Sequence, residues 1–591
     1  MKFVALISGG KDSCFNVLHC LANGHELVCL ANLYPPPSDS HELDSFMYQT
    51  VGFDIVPYYA DCTGKPLYRR MICGDSHNQK LEYERTENDE TEDLYELLKL
   101  VKEHHPDVEA VSVGAILSSY QRTRVEDVCS RLGLIALAYL WQRDQEQLMG
   151  EMCASKMEAR LIKVAAIGLN EKHLGLTLQE MYPVLVDLNR KYGVHVCGEG
   201  GEFESLVFDA PFFTKGRLKI IHQDTVRHTN DEVWYLKLKV EVVEKQGGGR
   251  FDLEQPPLLH EPFKGIRGQI KHGLRRAPTS NAQHFRHGRQ NSSHLRSLLR
   301  LSNITSTQPT AELQMAHIMS QLKDYLDNHK LHPTNVIFSS LLVSDMSKFS
   351  VLNSIYQTIF THPLPPARVC VETKLPENCF AQLSVEIINN IGFKKGLHVQ
   401  GRSYWAPSNI GPYSQAIADT STYMAHISGQ IPLVPKDMSV CKDVLTQTVL
   451  ALQHFEHVKE AIGSKTVLFM CCFVTDASLV DVVSHTYTLY TQESRDVDHV
   501  PQLVTVIASA LPRGVDVEWT GVCVNEGVGD YEHAKIAFDT DMEYLADRHY
   551  RIYYSGVGLP AALPSSYEMV PVQGVFDVSA EERRYAVVEM P

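Results

Sequence analysis

The apolar run at residues 3–7 passes directly into Ser8-Gly9-Gly10-Lys11-Asp12-Ser13, after which Cys14, Val17, Leu18 and Leu21 recur at helical spacing. A strand that ends in two glycines and reopens as a helix leaves a loop at its own C-terminal end. Gly9 and Gly10 let the backbone curl there, and the free N–H groups of the helix start favour an anion. Ser8 and Ser13 add hydroxyls and Lys11 a cation, so the loop reads as a phosphate site. It is not the G-x-x-x-x-G-K-[ST] loop, in which four residues separate the two glycines and a Ser or Thr follows the lysine.

From Lys2 to about Glu244 further short apolar runs, at 26–32, 108–113, 135–140 and 161–167, alternate with helical patterns. That alternation predicts an α/β domain over 1–244 whose doubly wound parallel sheet carries helices on both faces. Eight acids between Glu82 and Glu96 read as a solvated helix start. Residues 245–305 hold Gly247-Gly248-Gly249, Pro256-Pro257 and a basic stretch with nine Lys or Arg, four His and no acid from Pro262 to Arg300, which predicts a flexible linker. His284 and His287 lack partner ligands at a metal-binding spacing.

Beyond the linker the chain repeats itself. Pro365-Pro366-Ala367-Arg368, then VCVETKLP and LSVEII, is echoed by VPQLVTVIASALPRGVDVEWTGV farther on. Each copy reads helix (313–326 and 444–462), strand, helix, then two strands, which predicts two α+β domains, 306–395 and 396–591 with a C-terminal extension.

At 591 residues several domains are expected, and the formal charge of −16 argues against direct nucleic-acid binding, which needs Lys and Arg. Fourteen cysteines without a Cys-x-x-Cys pair read as reduced thiols. No signal peptide and no apolar run approaching the ~18 residues of a membrane span is evident, so a cytoplasmic protein without a membrane partner is expected.

SGGKDS resembles the pyrophosphate loop of the N-type ATP pyrophosphatases, which split ATP between its α and β phosphates and leave AMP on a substrate oxygen. Two further stretches narrow the resemblance. One is Gly114-Ala115-Ile116-Leu117-Ser118-Ser119-Tyr120-Gln121-Arg122-Thr123-Arg124, and the other is Gly198-Glu199-Gly200-Gly201-Glu202-Phe203-Glu204-Ser205. Both are expected at strand ends of the parallel sheet. With the loop they resemble the diphthine–ammonia ligases over residues 1–240.

That resemblance implies ATP and Mg²⁺ as cofactors, the diphthine form of elongation factor 2 as protein substrate, and ammonia as nucleophile. ATP would contact Ser8, Gly9, Gly10, Lys11, Asp12, Ser13, Gly114 and Arg124. Lys11, Asp12, Glu199, Glu202 and Glu204 are the catalytic candidates, with Asp12 and one of the glutamates, Glu199 first, as Mg²⁺ ligands. Substrate is expected at Ser118, Tyr120, Gln121 and Arg122. A cage of Phe203 with Glu202 or Glu204, helped by Tyr120 or Trp141, would suit the trimethylammonium group of diphthine. Phe203 and Trp141 read equally as core residues. A tRNA-thiolating enzyme of this fold would want paired cysteines and a basic surface, and a scaffold without catalysis would not need an intact SGGKDS.

The C-terminal copies resemble the RidA/YjgF family, small trimeric proteins that hydrolyse enamines and imines at sites between subunits. The first copy keeps the family's arginine as Arg368, with Glu386 as the expected glutamate, and lacks the opening motif. The second keeps that motif in Ile410-Gly411-Pro412-Tyr413-Ser414-Gln415 and Ser428-Gly429-Gln430, has Leu503 at the arginine position and retains Glu518. The copies are expected to share one hybrid pocket of Arg368, Glu386, Tyr413, Ser428, Gly429 and Glu518. A docking or stabilising role is expected for them ahead of release of ammonia from a trapped imine.

Overall fold

The computed structural model describes every residue except 37–50, 229–232, 246–251, 272–284, 287, 296, 494–501, 526–533, 541, 557 and 591. The chain forms two compact units. Residues 1–256 with 400–405 and 435–437 make the first, and the remainder makes the second.

In the first unit β1 (Lys2–Leu6), β2 (Glu26–Tyr34), β3 (Leu67–Met71), β4 (Ala110–Ser112) and β5 (Ile135–Leu137) form a sheet in the order β3-β2-β1-β4-β5. Every pairing is parallel. The order reverses between β1 and β4, and at such a switch point the loops leaving the two strands diverge and open a crevice. The apolar run at 161–167 does not join this sheet, as its pattern suggested. β6 (Glu158–Val164) lies in a second, antiparallel sheet with β7 (Phe203–Asp209), β8 (Gly216–Arg227) and β9 (Trp234–Glu244), in the order β7-β6-β9-β8. Leu161 and Leu206 share a core with Phe3 and Phe15, and burial alone does not tell a strand which neighbour to pair with.

The acidic stretch is not a solvated helix start. Asp89 caps the helix Glu90–His104, and Asp93 is buried, accepting hydrogen bonds from the backbone N–H of Cys73 (2.7 Å) and Gly74 (2.9 Å) and from Arg70 (3.2 Å). These carboxylates fasten the loop that follows β3. Residues 400–405 complete the same unit: Arg402 exchanges backbone hydrogen bonds of 2.8 Å with Ala136 and Ala138 beside β5, and Tyr404 packs on Tyr139 and His19.

The second unit holds the two repeats. β10 (Asn291–Leu295), β11 (Leu298–Ile304), β12 (Val336–Val343), β13 (Ala367–Glu372) and β14 (Ala381–Ile388) form a sheet in the order β10-β11-β14-β12-β13, covered by helices Ala311–Asn328 and Phe349–Gln357. In the second repeat β15 (Lys394–Leu397), β16 (Ala416–Asp419), β17 (Met424–Gln430), β20 (Ser464–Val474), β21 (Gln502–Ile507) and β22 (Val517–Asn525) take the order β15-β16-β17-β22-β20-β21. The hairpin β18 (Leu433–Val434) and β19 (Ser439–Val440) and helices Val444–Ala461 and Val480–Glu493 accompany them. After these, β23 (Lys535–Phe538), β24 (His549–Tyr554), β25 (Tyr567–Pro571) and β28 (Tyr585–Met590) form a further sheet, while β26 (Gly574–Phe576) and β27 (Glu582–Arg583) extend β21.

Part of the expected linker is structured. β10 and β11 fall inside it, as does the helix Phe263–Gln269, because Leu298, Leu299, Leu301 and Ile304 supply buried apolar surface among the basic residues. Gly247, His284 and His287 lie outside the described residues. All fourteen cysteines are unpaired, and no helix among the described residues is long and apolar enough to cross a membrane.

Candidate active site

The switch point of the parallel sheet opens into a cavity of about 730 Å³, and all three motifs meet in its wall. Ser8, Lys11, Asp12 and Ser13 come from the loop after β1. Gly114, Ser118, Tyr120 and Gln121 follow β4, and Glu199, Phe203, Glu204 and Ser205 come from the approach to β7 and its first residues. The third motif thus reaches the crevice from the antiparallel sheet rather than from a parallel strand end.

The phosphate loop is held from below. Gly9 sits at φ +93°, a conformation natural to glycine, and a Cβ there would lie 3.0 Å from Leu206 Cδ1. Its carbonyl accepts from the Tyr59 hydroxyl (2.9 Å) and the Val207 N–H (2.9 Å). Ser8 Oγ accepts from the Gly10 N–H (3.2 Å), and Ser205 Oγ accepts from the Lys11 N–H (3.1 Å). Gly114 is needed for a different reason: a Cβ would stand 2.6 Å from the Ser13 backbone nitrogen, so only glycine lets the strand β4 exit pass against the loop. Ser118 caps the helix Ser119–Leu132 by accepting from the Gln121 N–H, and that helix start faces the cavity.

The Lys11 ammonium donates to Asp12 Oδ2 (2.7 Å) and to the Cys197 carbonyl (2.5 Å), with the Phe203 ring 5.2 Å away. Burial works against its charge, but Asp12, Cys197 and Glu199 more than offset this and its pKa is raised, so Lys11 is a cation at neutral pH. Burial, with Asp12 adding to it, pushes the Glu199 carboxyl up although the Leu117 N–H donates to it (3.1 Å). Glu204 is pushed up by burial too, despite Lys163 at 3.3 Å, and its Oε2 is buried without a hydrogen-bond partner among the described residues. Asp12 Oδ1 is in the same condition.

Several expected site residues are placed otherwise. Glu202 turns back on its own loop, accepting from the His195 N–H (3.0 Å) and the Gly200 N–H (2.7 Å), and so shapes the turn; it is not among the residues lining the cavity. Arg122 is in a buried ion pair with Glu126 (2.6 Å) and lies over the Trp141 indole, itself a core residue. Arg124 is fully buried, stacked on Tyr120 at 3.2 Å and donating to the carbonyls of Asn78 and Lys80, which ties the Asn78–Lys80 turn to the helix instead of reaching phosphate. Sequence reasoning also passed over His195. Its Nδ1 accepts from the N–H groups of Cys197 (3.2 Å) and Glu199 (3.4 Å), burial lowers its pKa, and its Nε2 is buried without a partner among the described residues. A lone histidine in a Val-His-Val run carries no signal that separates this from a core position.

In the second unit Arg368 of the first repeat meets the second. Its N–H donates to Ser428 Oγ (2.8 Å), its guanidinium donates to Asn353 (2.7 Å), and it lies 5.4 Å from the Tyr413 ring. Glu518 is buried with Oε2 unpartnered among the described residues; burial pushes its pKa up to about 8, with Arg368 drawing it back. A Cβ on Gly429 would fall 1.6 Å from Glu518 Oε1, so this close approach requires glycine. Glu386 is elsewhere. Counted from the paired strand ends, Leu342 faces Gln382 and Phe473 faces Glu518, so Gln382 holds the matching position and Glu386 is four residues on, bonded to Arg300 (3.0 Å).

A parallel sheet whose first strand ends in a serine–glycine phosphate loop, with a helix start and paired carboxylates across the crevice, is the nucleotide-binding domain of an ATP pyrophosphatase. Residues 1–136 match the Diphthamide synthase N-terminal domain, 144–243 the Diphthamide synthase C-terminal domain, and 301–388 with 404–524 Endoribonuclease L-PSP. The diphthine–ammonia ligase of Saccharomyces cerevisiae is 46% identical over 576 residues, 88% of this chain and 83% of that protein. That of Schizosaccharomyces pombe is 43% identical over 542 residues, 88% and 87% respectively. The human one is 56% identical over 234 residues, 39% of this chain and 87% of that one. Among solved structures, the YjgF gene product of E. coli is 30% identical, with a TM-score of 0.19, covering 21% of this chain and 95% of that one. The chain belongs to the diphthine–ammonia ligase family.

Proposed function

We propose that the first unit amidates the diphthine carboxylate of elongation factor 2 with ammonia, through an acyl-adenylate, and releases AMP and pyrophosphate. The observation that carries this reading is the meeting of the three motifs around one cavity at the switch point. A carboxylate resists nucleophiles because its charge repels them and it has no good leaving group, and adenylation removes both obstacles. The carboxylate oxygen attacks the α-phosphorus and pyrophosphate leaves; ammonia then attacks the acyl carbon, AMP leaves, and the surplus proton passes to a carboxylate.

Lys11, Ser8 and Ser13 suit the departing pyrophosphate, since a fixed cation and fixed donors cost no reorganisation as charge develops. Glu204, its basicity raised by burial, suits acceptance of the proton given up by the attacking ammonia. Asp12 Oδ1, buried without a hydrogen-bond partner, and the neighbouring Glu199 form a hard-oxygen pair that fits Mg²⁺. When bound, that ion would neutralise phosphate charge. Because the Phe203 ring already carries the Lys11 ammonium, Glu204 is the better counterpart for the trimethylammonium group. The test is incubation with ATP, ammonium and diphthine-bearing elongation factor 2, followed by mass spectrometry of the modified histidine. Carboxamide with stoichiometric AMP supports the reading; AMP without amide, or thiolated tRNA in a parallel assay, overturns it.

A second reading concerns Arg368 and Glu518. A guanidinium beside a carboxyl still protonated near neutrality suits a small carboxylate whose neighbouring carbon exchanges protons, such as an imino acid. Release of ammonia from an imino acid that is lost in Arg368→Ala and Glu518→Gln supports it, and equal rates in both variants overturn it.

A further inference from the structure

The sheet that follows the second repeat has a pattern of its own. In the two repeats four strands appear in the chain order β11, β12, β13, β14 and β17, β20, β21, β22, and in space as β11-β14-β12-β13 and β17-β22-β20-β21. Only the last pair in each is parallel. The tail strands appear in the chain order β23, β24, β25, β28 and in space as β23-β28-β24-β25, again with only the last pair parallel. The two connections that carry helices in each repeat carry none among the described residues here. A four-strand order with one parallel pair is one arrangement among many, and its return a third time in the same chain order is not what an unrelated extension would give.

Packing says the same. One hydrophobic core takes Phe338, Val369 and Ile388 from the first repeat, Phe469, Val504 and Val522 from the second, and Tyr553, Val570 and Val588 from the tail. The tail also touches both repeats at their edges. Asn303 of β11 accepts from the Met569 N–H (2.9 Å) and donates to the Tyr567 carbonyl (3.1 Å), while β26 pairs with β21. Glu386 is buried among Arg300 of the first repeat, His426 of the second and His549 and Arg551 of the tail; despite burial these neighbours, Arg300 foremost, hold it down at about 2.

We infer that residues 535–590 are a third copy of the repeat, stripped of both helices, which occupies the place a further like domain would take and closes the second unit on itself. The repeat-to-repeat junctions are then unequal. The first-to-second junction keeps Arg368, Ser428, Gly429 and Glu518, whereas Leu503 stands where the second repeat would supply an arginine. At the tail-to-first junction Asn303 fills the position that matches Gly429 and Tyr567 the one that matches Arg368. One chain therefore carries one such pocket and leaves no face for a second copy.

The experiment is light scattering on the full chain and on a chain ending at residue 525, with hydrogen exchange on the full chain. The full chain should have the mass of one chain, and the shortened one should self-associate through the uncovered β21 edge and core face. In the full chain, amides of β24 and β28 should be protected to within about tenfold of those of β20 and β22, as members of one cooperative unit. Self-association of the full chain through this unit overturns the inference, as does a shortened chain that stays monomeric with an unchanged melting temperature. If the shortened chain fails to fold, exchange decides: tail amides that exchange a hundredfold or more faster than those of β20 overturn it.

Discussion

Lys11 is the residue on which the ligase chemistry leans most, because its charge is fixed by Asp12 and the Cys197 carbonyl before any substrate arrives. Lys11→Ala should lower the rate of AMP formation by on the order of 10²–10³, the usual effect of removing one preorganised electrostatic group. A rate within threefold of the parent enzyme in a pyrophosphate-release assay would place the phosphates elsewhere. Two glutamates of the second unit give opposite pH signatures. Glu518, raised from 4.5 to about 8, contributes stability that is fully present below 4.5 and is lost as pH rises through about 8. Glu386, lowered from 4.5 to about 2, contributes stability that is present above 4.5 and is lost as pH falls toward 2. Melting curves between pH 2 and 9 should therefore lose their alkaline slope in Glu518→Gln and their acid slope in Glu386→Gln; unchanged slopes would contradict both assignments.

At the scale of elements, the sequence announced what local chemistry determines and missed what distant pairing determines. The strand, glycine loop and helix at residues 2–22 follow from adjacent residues, and the structure has them there. The crevice wall was legible in part for the same reason, since the first two motifs follow the parallel strands β1 and β4, whereas the third leads into antiparallel β7. The antiparallel partner of β6 was not legible, because an apolar run of seven residues suits either kind of sheet. Nor was the true equivalent of Glu518: an acid four residues away looks like a match until strand register places Gln382 there. Asp93 is the instructive case, since composition marks it as a surface acid and only the fold shows it holding the turn after β3. Asp93→Ala leaves two backbone N–H groups without their acceptor and should destabilise the first unit by about 1–3 kcal/mol in urea unfolding. A loss below about 0.5 kcal/mol would mean that water takes over the role.

At the scale of the whole molecule, the vertebrate relatives set a puzzle. The rat diphthine–ammonia ligase matches 40% of this chain and that match covers 91% of its own length, so a first unit of this kind makes up nearly all of that protein. In this chain, however, the first unit includes residues 400–405. Glu126, buried on the helix that begins at the crevice, accepts from the N–H groups of Gln400 (3.0 Å) and Gly401 (2.7 Å) with one oxygen and from Arg122 with the other. Burial raises the Glu126 pKa against the pull of these three partners. A chain ending at residue 256 would keep every crevice residue but leave Glu126 without two of its donors, and a buried carboxylate stripped of partners costs several times what the intact arrangement contributes. The truncated chain should therefore still form AMP while unfolding about 1–3 kcal/mol more easily than the first unit does in the full chain. Glu126→Gln should recover part of that deficit in the truncated chain and be destabilising in the full one, where it breaks the pair with Arg122. Denaturant curves on the four proteins check this. If the substitution has the same sign in both backgrounds, residues 400–405 are passengers on the sheet edge rather than part of what holds the helix.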